Sequence, residues 1–262
     1  IETPTEEIIE KFSAITENEE RRWIDNDLVN SDMGTIASQR AIEDADLDPN
    51  DLDYIICAHN FGDIEYSTNK TDIMTSLDSK IKNKLEIKNP SVIPYDMIYG
   101  CPGWIEGLRM ADSFIKSGQA KNILIVASET LSRIIDPFDR DSMIFADGAG
   151  AVILSAAESD EKYGVLSHRT ISDNNEELHF LFNGKSVNPD YKPEERYIRM
   201  LGRKIYEYAL TKVPKAIKKT IEDAGLSIED TTKLLIHQAN GKMDDAILKR
   251  LARLYKFKPD EN

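Results

Sequence analysis

The sequence predicts an α/β protein built from two similar halves, and three observations carry that prediction. Helical and strand-like patterns alternate along the 262 residues, the order expected where helices cover a buried sheet. A segment of the first half, Ile42-Glu-Asp-Ala45 with Leu47, Asp51 and a strand ending near His59-Asn60, reappears without gaps. Its second copy is Ile221-Glu-Asp-Ala224 with Leu226, Asp230 and a strand ending at His237-Gln-Ala-Asn240. That separation far exceeds a solenoid period, so it marks two halves rather than stacked repeats. Finally, a cysteine in a glycine-flanked turn of one half and a histidine closing a strand of the other suit a single shared site.

Taken in order, Glu6–Ala14 reads as a helix. Met33–Ala45 is a clearer one, with Ile36, Ala37, Ala41, Ile42 and Ala45 in helical spacing. Asp53–Ala58 is a strand, Thr71–Leu85 a helix and Ser91–Tyr95 a strand. The helix after Cys101 runs to about Ser117, with Ile105, Leu108, Ala111, Phe114 and Ile115 on one side. Asn122–Ser128 and Ala149–Ala156 are strands, the second entered through Asp147-Gly-Ala-Gly150. The acidic stretch Ser155–Tyr163 reads as a linker, which divides the chain into residues 1–158 and 159–262. Asp173–Glu195, punctuated by Asn174-Asn175, Asn183-Gly184, Pro189 and Pro193, is a loop region. Leu201–Ala224 is a long helix, and Lys233–His237 a buried-type strand.

Composition narrows the function. With 33 basic and 47 acidic residues the net charge is −14, which argues against nucleic-acid binding as the main task. No stretch has the apolar length of a membrane span, and no signal peptide is expected. Two cysteines make no disulfide framework, so a reducing compartment, the cytoplasm, is expected. His59, His168, His179 and His237 lack ligand-like spacing, so no metal is expected. One basic cluster stands out: Lys242, Lys249, Arg250, Arg253 and Lys256 on a helical stretch, with Lys242, Lys249 and Arg253 on a common face. It is either a solvated charged face or a docking surface for an acidic partner.

Cys101 sits in Tyr99-Gly-Cys-Pro-Gly103, between a strand and a helix. A helix N-terminus carries partial positive charge and favours thiolate over thiol. Gly100 and Gly103 permit close backbone approach to whatever the sulfur attacks. Cys57, inside Tyr54-Ile-Ile-Cys-Ala58, reads instead as core packing. An activated cysteine with a distant strand-end histidine points to covalent acyl transfer.

These residues resemble a known family. Together with Asn122-Ile-Leu-Ile-Val-Ala-Ser-Glu129, Asp136-Pro-Phe-Asp-Arg140, Phe145-Ala-Asp-Gly-Ala-Gly150 and His237-Gln-Ala-Asn240, the Cys101 turn is similar to that of beta-ketoacyl-(acyl-carrier-protein) synthase III, of the thiolase superfamily. The matches are ordered along almost the whole chain. The resemblance implies a thiolase-like duplicated five-layer α-β-α-β-α sandwich, with the nucleophile from one half and the histidine from the other. It implies that Cys101 takes an acyl group from acyl-CoA, and that malonyl-acyl carrier protein (ACP) then decarboxylates and condenses with it, His237 donating a hydrogen bond. The substrates would be CoA and ACP-phosphopantetheine thioesters, with no further cofactor, and the protein a homodimer.

By the same resemblance Arg140 matches a CoA-nucleotide contact, and Gly202 and Arg203 of Met200-Leu-Gly-Arg203 match the pantetheine channel. Tyr206 holds a usually aromatic channel position, with core packing as the other reading. Arg140 could equally pair with Asp136 or Asp139. Asn240 matches a substrate-side position, and Lys242 an arginine that docks the carrier protein, with Lys249 and Arg253 beside it. There are departures. The adenine-stacking tryptophan and the Thr-Gly-Ile that follows it in the family are replaced here, and Tyr99 stands where a small residue is common. The family's third catalytic residue, an asparagine in a Gly-Asn-Ser/Thr turn beyond the histidine, and its first strand are not in this sequence. The sequence is therefore expected to lack both ends of the family domain. The alternatives are a related condensing enzyme of secondary metabolism with longer acyl donors, a Cys-His-Asn hydrolase, and a non-catalytic homologue.

Overall fold

Branched aliphatic residues run consecutively in the central strands because a strand covered on both faces has no solvent side to keep polar. The computed structural model describes residues 4–160 and 163–256. In chain order its elements are α1 (Thr5–Thr16), α2 (Asn30–Asp44), β1 (Tyr54–His59), β2 (Asp63–Ile64), β3 (Thr71–Asp72), α3 (Leu77–Lys84), β4 (Ile93–Ile98), α4 (Gly103–Lys116), β5 (Asn122–Thr130) and β6 (Asp147–Ser155). Then follow β7 (Leu181–Gly184), β8 (Tyr197–Met200), α5 (Gly202–Asp223) and α6 (Gly241–Leu254). Residues 161 and 162 of the expected linker lie outside the described residues.

The chain forms two compact units that do not follow the expected halves, 1–158 and 159–262. One comprises residues 22–135 and 145–165, the other residues 1–21, 136–144 and 166–262. The physical reason lies in three anchors of the second unit. Arg21 Nε donates to the Ile144 carbonyl at 2.9 Å, and Asn18 Nδ2 to that of Ala239 at 3.3 Å. Buried Asp136 accepts from Ser186 Oγ at 3.0 Å and Val187 N at 2.7 Å.

In the first unit a four-stranded sheet has the order β4-β1-β5-β6. β1 runs parallel to β4 and β5, and β6 closes the edge antiparallel to β5. Side chains alternate across the two central strands. Ile55, Cys57, Leu124 and Val126 meet Leu77 and Ile81 of α3 on one face, with Ala41 and Ile42 of α2. Ile56, Ile123 and Ile125 meet Ala111, Leu108 and Phe114 of α4 on the other. Each fully buried aliphatic side chain contributes about 1.5–3 kcal/mol through area removed from water.

The helix expected over Thr71–Leu85 is shorter. Thr71 and Asp72 pair with Ile64 and Asp63 as β3, and the helix starts only at Leu77. It starts there because the Asp96 carboxylate accepts from the amides of Leu77 and Asp78, at 2.8 and 2.9 Å. These are two of the donors that a helix N-terminus leaves unsatisfied.

In the second unit α5 and α6 pack through Leu210, Met243 and Ile247, with Val213 and Ile217 alongside. Pro214 lies inside α5 and cannot donate to the Leu210 carbonyl, four residues back. Arg250 of α6 supplies the missing donor, Nη1 to Leu210 O at 3.1 Å. The strand expected at Lys233–His237 is not formed: the segment is irregular and Leu235 is 88% exposed. A strand needs a hydrogen-bonded neighbour. The only sheet described in this unit is the antiparallel pair β7–β8, which lies elsewhere along the chain.

Candidate active site

Cys101 lies at the carboxyl ends of the parallel strands, where open α/β sheets place ligands. Beyond β4, Tyr99 N donates to the His59 carbonyl at 3.0 Å and keeps the chain in register with β1. The backbone then turns, with Gly103 N donating to Gly100 O at 2.7 Å, and enters α4. Cys101 is exposed within this turn, just before the cap of the helix. A Cβ on Gly103 would stand 2.7 Å from Ala58 Cβ, so that glycine lets the turn sit directly on β1. Gly100 has more room, since its Cβ would be 3.7 Å from Asn60 Oδ1. Cys57 is the inert thiol: burial first, then the carboxylates of Asp96 and Asp78, push its ionisation well up.

A polar network that the motif reading passed over ties the strand ends beneath the turn. His59 is buried, and its Nδ1 accepts from Gly62 N at 3.0 Å. Its Nε2 therefore carries the proton and faces Asp96 Oδ2 at 3.0 Å. Burial alone would raise the Asp96 carboxyl, but the His59 and backbone donors win and hold it below the usual range. Asp78 goes the other way, pushed up to about 6 by burial and by the charge of Asp96. Across β1, Glu129 Oε2 accepts from both Asn60 N at 2.7 Å and Asn60 Nδ2 at 2.8 Å. Burial pushes the Glu129 carboxyl up more than those donors lower it. The internal repeat was the available signal, for its gapless alignment pairs His59 and Asn60 with Gln238 and Ala239, the two residues that follow His237.

Five of the sequence-predicted residues come together in the second unit. Arg140, Gly202, Arg203, Tyr206 and Asn240 all line one cavity of about 550 Å³. Its apolar wall includes Met143, Ile144, Met200 and Met243, together with Ile8, Phe12 and Ile15 of α1, which no motif marked. Asp136 and Asp139 are not the partners of Arg140. Asp136 is taken up by loop amides and Ser186, Asp139 pairs with Arg199 at 3.0 Å, and Arg140 Nε lies 3.4 Å from Asp141. Arg203 pairs with Glu207 at 2.9 Å and is otherwise open to solvent. Asn240 caps α6, its Oδ1 accepting from Met243 N at 2.7 Å.

His237 belongs to the exposed segment that leads into Ala239 and Asn240 on the cavity wall. Burial raises the Asp244 carboxyl in the first turn of α6, and the charge of His237 works against that rise. On α6, Lys242, Lys249 and Arg253 are exposed while Met243, Ile247 and Leu251 are buried, as the amphipathic pattern requires. No helix among the described residues is long and apolar enough to cross a membrane.

A sheet with helices on both faces and a cysteine turn at its strand ends fits an α/β enzyme with a thiol nucleophile, and comparison with known proteins identifies the class as thiolase-fold condensing acyltransferases. The family profile described as 3-oxoacyl-(acyl-carrier-protein) synthase III matches residues 95–174. Beta-ketoacyl-(acyl-carrier-protein) synthase III 1 of Vibrio vulnificus is 34% identical over 253 residues, covering 96% of this chain and 74% of that protein. The synthase III of Caldanaerobacter subterraneus is 32% identical, covering 88% and 68%. Among solved structures, the synthase III of Aquifex aeolicus aligns with a TM-score of 0.78 at 30% identity, over 92% of this chain and 71% of that one. A priming beta-ketosynthase of a polyketide biosynthetic pathway aligns equally well, at 0.78 and 27% identity over 98% and 72%. The chain belongs to the beta-ketoacyl-(acyl-carrier-protein) synthase III family.

Proposed function

We propose that this protein joins an acyl thioester to malonyl-ACP through an acyl-Cys101 intermediate and so initiates fatty-acid synthesis. The observation that carries the reading is the exposed Cys101 turn at the head of α4 in a chain of this family. The thiolate attacks the thioester carbonyl of acyl-CoA, the thioester bond breaks, and CoA leaves as its thiolate, which takes a proton from solvent. Malonyl-ACP then loses carbon dioxide. The resulting enolate attacks the acyl-Cys101 carbonyl and expels the thiolate, giving beta-ketoacyl-ACP. Charge gathers on thioester oxygens in both stages, so fixed donors lower the barrier most. His237 is one such donor, and the Cys101 amide serves the acyl-transfer stage.

The cavity bearing Arg140, Gly202, Arg203, Tyr206 and Asn240 suits a pantetheine arm, with an apolar wall for its chain and cations at its rim. Lys242, Lys249 and Arg253 give an acidic carrier protein a basic face on a chain of net charge −14. A homodimer is supported by β4, an edge strand with Ile93, Tyr95 and Ile98 exposed. Light scattering tests it directly. The likeness to a priming ketosynthase favours, as a second reading, a synthase of secondary metabolism that differs only in donor and acceptor.

Intact-protein mass spectrometry with a panel of acyl-CoA and acyl-ACP thioesters tests the proposal. The expected result is a gain of one acyl group that disappears in Cys101→Ser, with the best donor naming the substrate. Folded protein that gains no mass with any donor would instead support the non-catalytic reading.

A further inference from the structure

The strand end under the Cys101 turn is held by side-chain and backbone hydrogen bonds from three segments of the chain. Asn60 is exposed at the mouth of the sheet, yet its amide N–H and its side-chain Nδ2 both donate to one oxygen of Glu129. The preceding residue, His59, accepts from Tyr99 N through its carbonyl and from Gly62 N through Nδ1, and its Nε2 lies 3.0 Å from Asp96 Oδ2. The turn itself rests on this end of β1: Gly103 abuts Ala58, and Gly100 faces Asn60 Oδ1. Displacing Asn60 therefore displaces the floor beneath the residue before the cysteine. His59 retains its own bonds when the Glu129–Asn60 link is cut, so that link can be perturbed separately from the core.

We infer that Glu129, acting through Asn60, is a positioning residue for Cys101, fixing the end of β1 on which the nucleophile turn is seated. The inference rests on Cys101 being the acylated residue. Acyl transfer needs the sulfur aligned with the carbonyl and with the donors that receive its charge. A displacement of the order of 1 Å costs up to about 100-fold in rate without changing how tightly substrate binds. Glu129 contributes as a double acceptor, a task one carboxamide oxygen can also perform. Asn60 contributes as the double donor.

The test measures Cys101 acyl loading at saturating donor in Glu129→Ala, Asn60→Ala, their double variant and Glu129→Gln, with circular dichroism to establish folding. Expected are losses of about 10- to 100-fold in maximal loading rate for each alanine variant, with the apparent donor KM nearly unchanged. The double variant should be no slower than the slower single, because both cut one link. Glu129→Gln should retain most of the rate. Multiplying losses, a change confined to KM, or loading within twofold of wild type in folded Asn60→Ala would overturn the inference. Should Glu129→Ala fail to fold, Asn60→Ala and Glu129→Gln decide alone, since neither empties a buried site.

Alkylation of Cys101 by iodoacetamide, mapped by peptide mass spectrometry across pH, reads the turn without any acyl donor. The same altered pH–rate profile in both alanine variants supports the inference, and profiles identical to wild type overturn it. Failure of acyl loading in wild-type protein, or loading that survives Cys101→Ser, would instead strike the proposed function. The two failures are thereby distinguishable.

Discussion

Asp78 is the buried charge whose removal should strengthen this fold. It is fully buried in the first turn of α3, where its Oδ1 accepts from Ser76 Oγ and Ser79 N, both at 2.6 Å. Neighbouring Asp96 is held ionised by His59 and two helix amides, so it repels a second negative charge. Burial and that repulsion push Asp78 from 3.8 up to about 6. A carboxyl raised in the folded state favours folding in its protonated form, below its ordinary value. That contribution is lost as pH rises through about 6. A rise of about two units corresponds to roughly 3 kcal/mol between the acid and alkaline limits, at ~1.4 kcal/mol per unit.

Asp78→Asn keeps the Oδ1 acceptor, removes the charge and offers Asp96 a donor. Stability at pH 8 should rise by about 1–3 kcal/mol, and the gain should fade towards pH 4, where Asp78 is already protonated. Urea unfolding followed by tryptophan fluorescence at pH 4.5, 6 and 8 measures this, since Trp23 and Trp104 both belong to the unit that contains Asp78 and Asp96. A loss at pH 8, or a gain that does not vary with pH, would refute the account of the Asp78–Asp96 pair.

Other consequences can be measured in the same protein. Gly103→Ala places a methyl 2.7 Å from Ala58 Cβ and should destabilise by about 1–3 kcal/mol while slowing Cys101 alkylation. Thermal melts and thiol kinetics read the two effects. Arg250→Leu leaves the buried Leu210 carbonyl without the donor that Pro214 withholds, and should cost about 1–3 kcal/mol in denaturant titrations. Pro214→Ala, by restoring a backbone donor, should make that loss smaller. Charge reversal at Lys242 and Lys249 should raise the apparent KM for malonyl-ACP in steady-state assays and leave acyl-CoA loading nearly unchanged. Equal effects on both substrates would remove α6 as the docking surface.

The strongest local patterns translated directly into structure. The consecutive aliphatic residues of β1 and β5 became buried central strands, and the spaced apolar residues after Cys101 became α4. Tyr-Gly-Cys-Pro-Gly was legible because its glycines announce a turn whatever surrounds it. Thr71–Leu85 failed for an equally physical reason: its start depends on Asp96, a residue of another element that caps α3 at Leu77. Lys233–His237 failed because strand propensity means little without a neighbouring strand to pair with.

By itself, then, the sequence determined the family, the alternating elements and the residue types of the candidate chemistry. All of these rest on short-range order along the chain: periodicity, turn residues and motif spacing. Only the tertiary structure decided that α1 lines a cavity with Arg140, Tyr206 and Asn240. Only it decided that Asp136 anchors a loop, that Arg250 completes the hydrogen bonding of α5, and that Glu129 grips Asn60 beside the nucleophile turn. Those outcomes join groups far apart in sequence. Each is chosen by burial, because a polar group removed from water takes whichever partner the packing brings within reach.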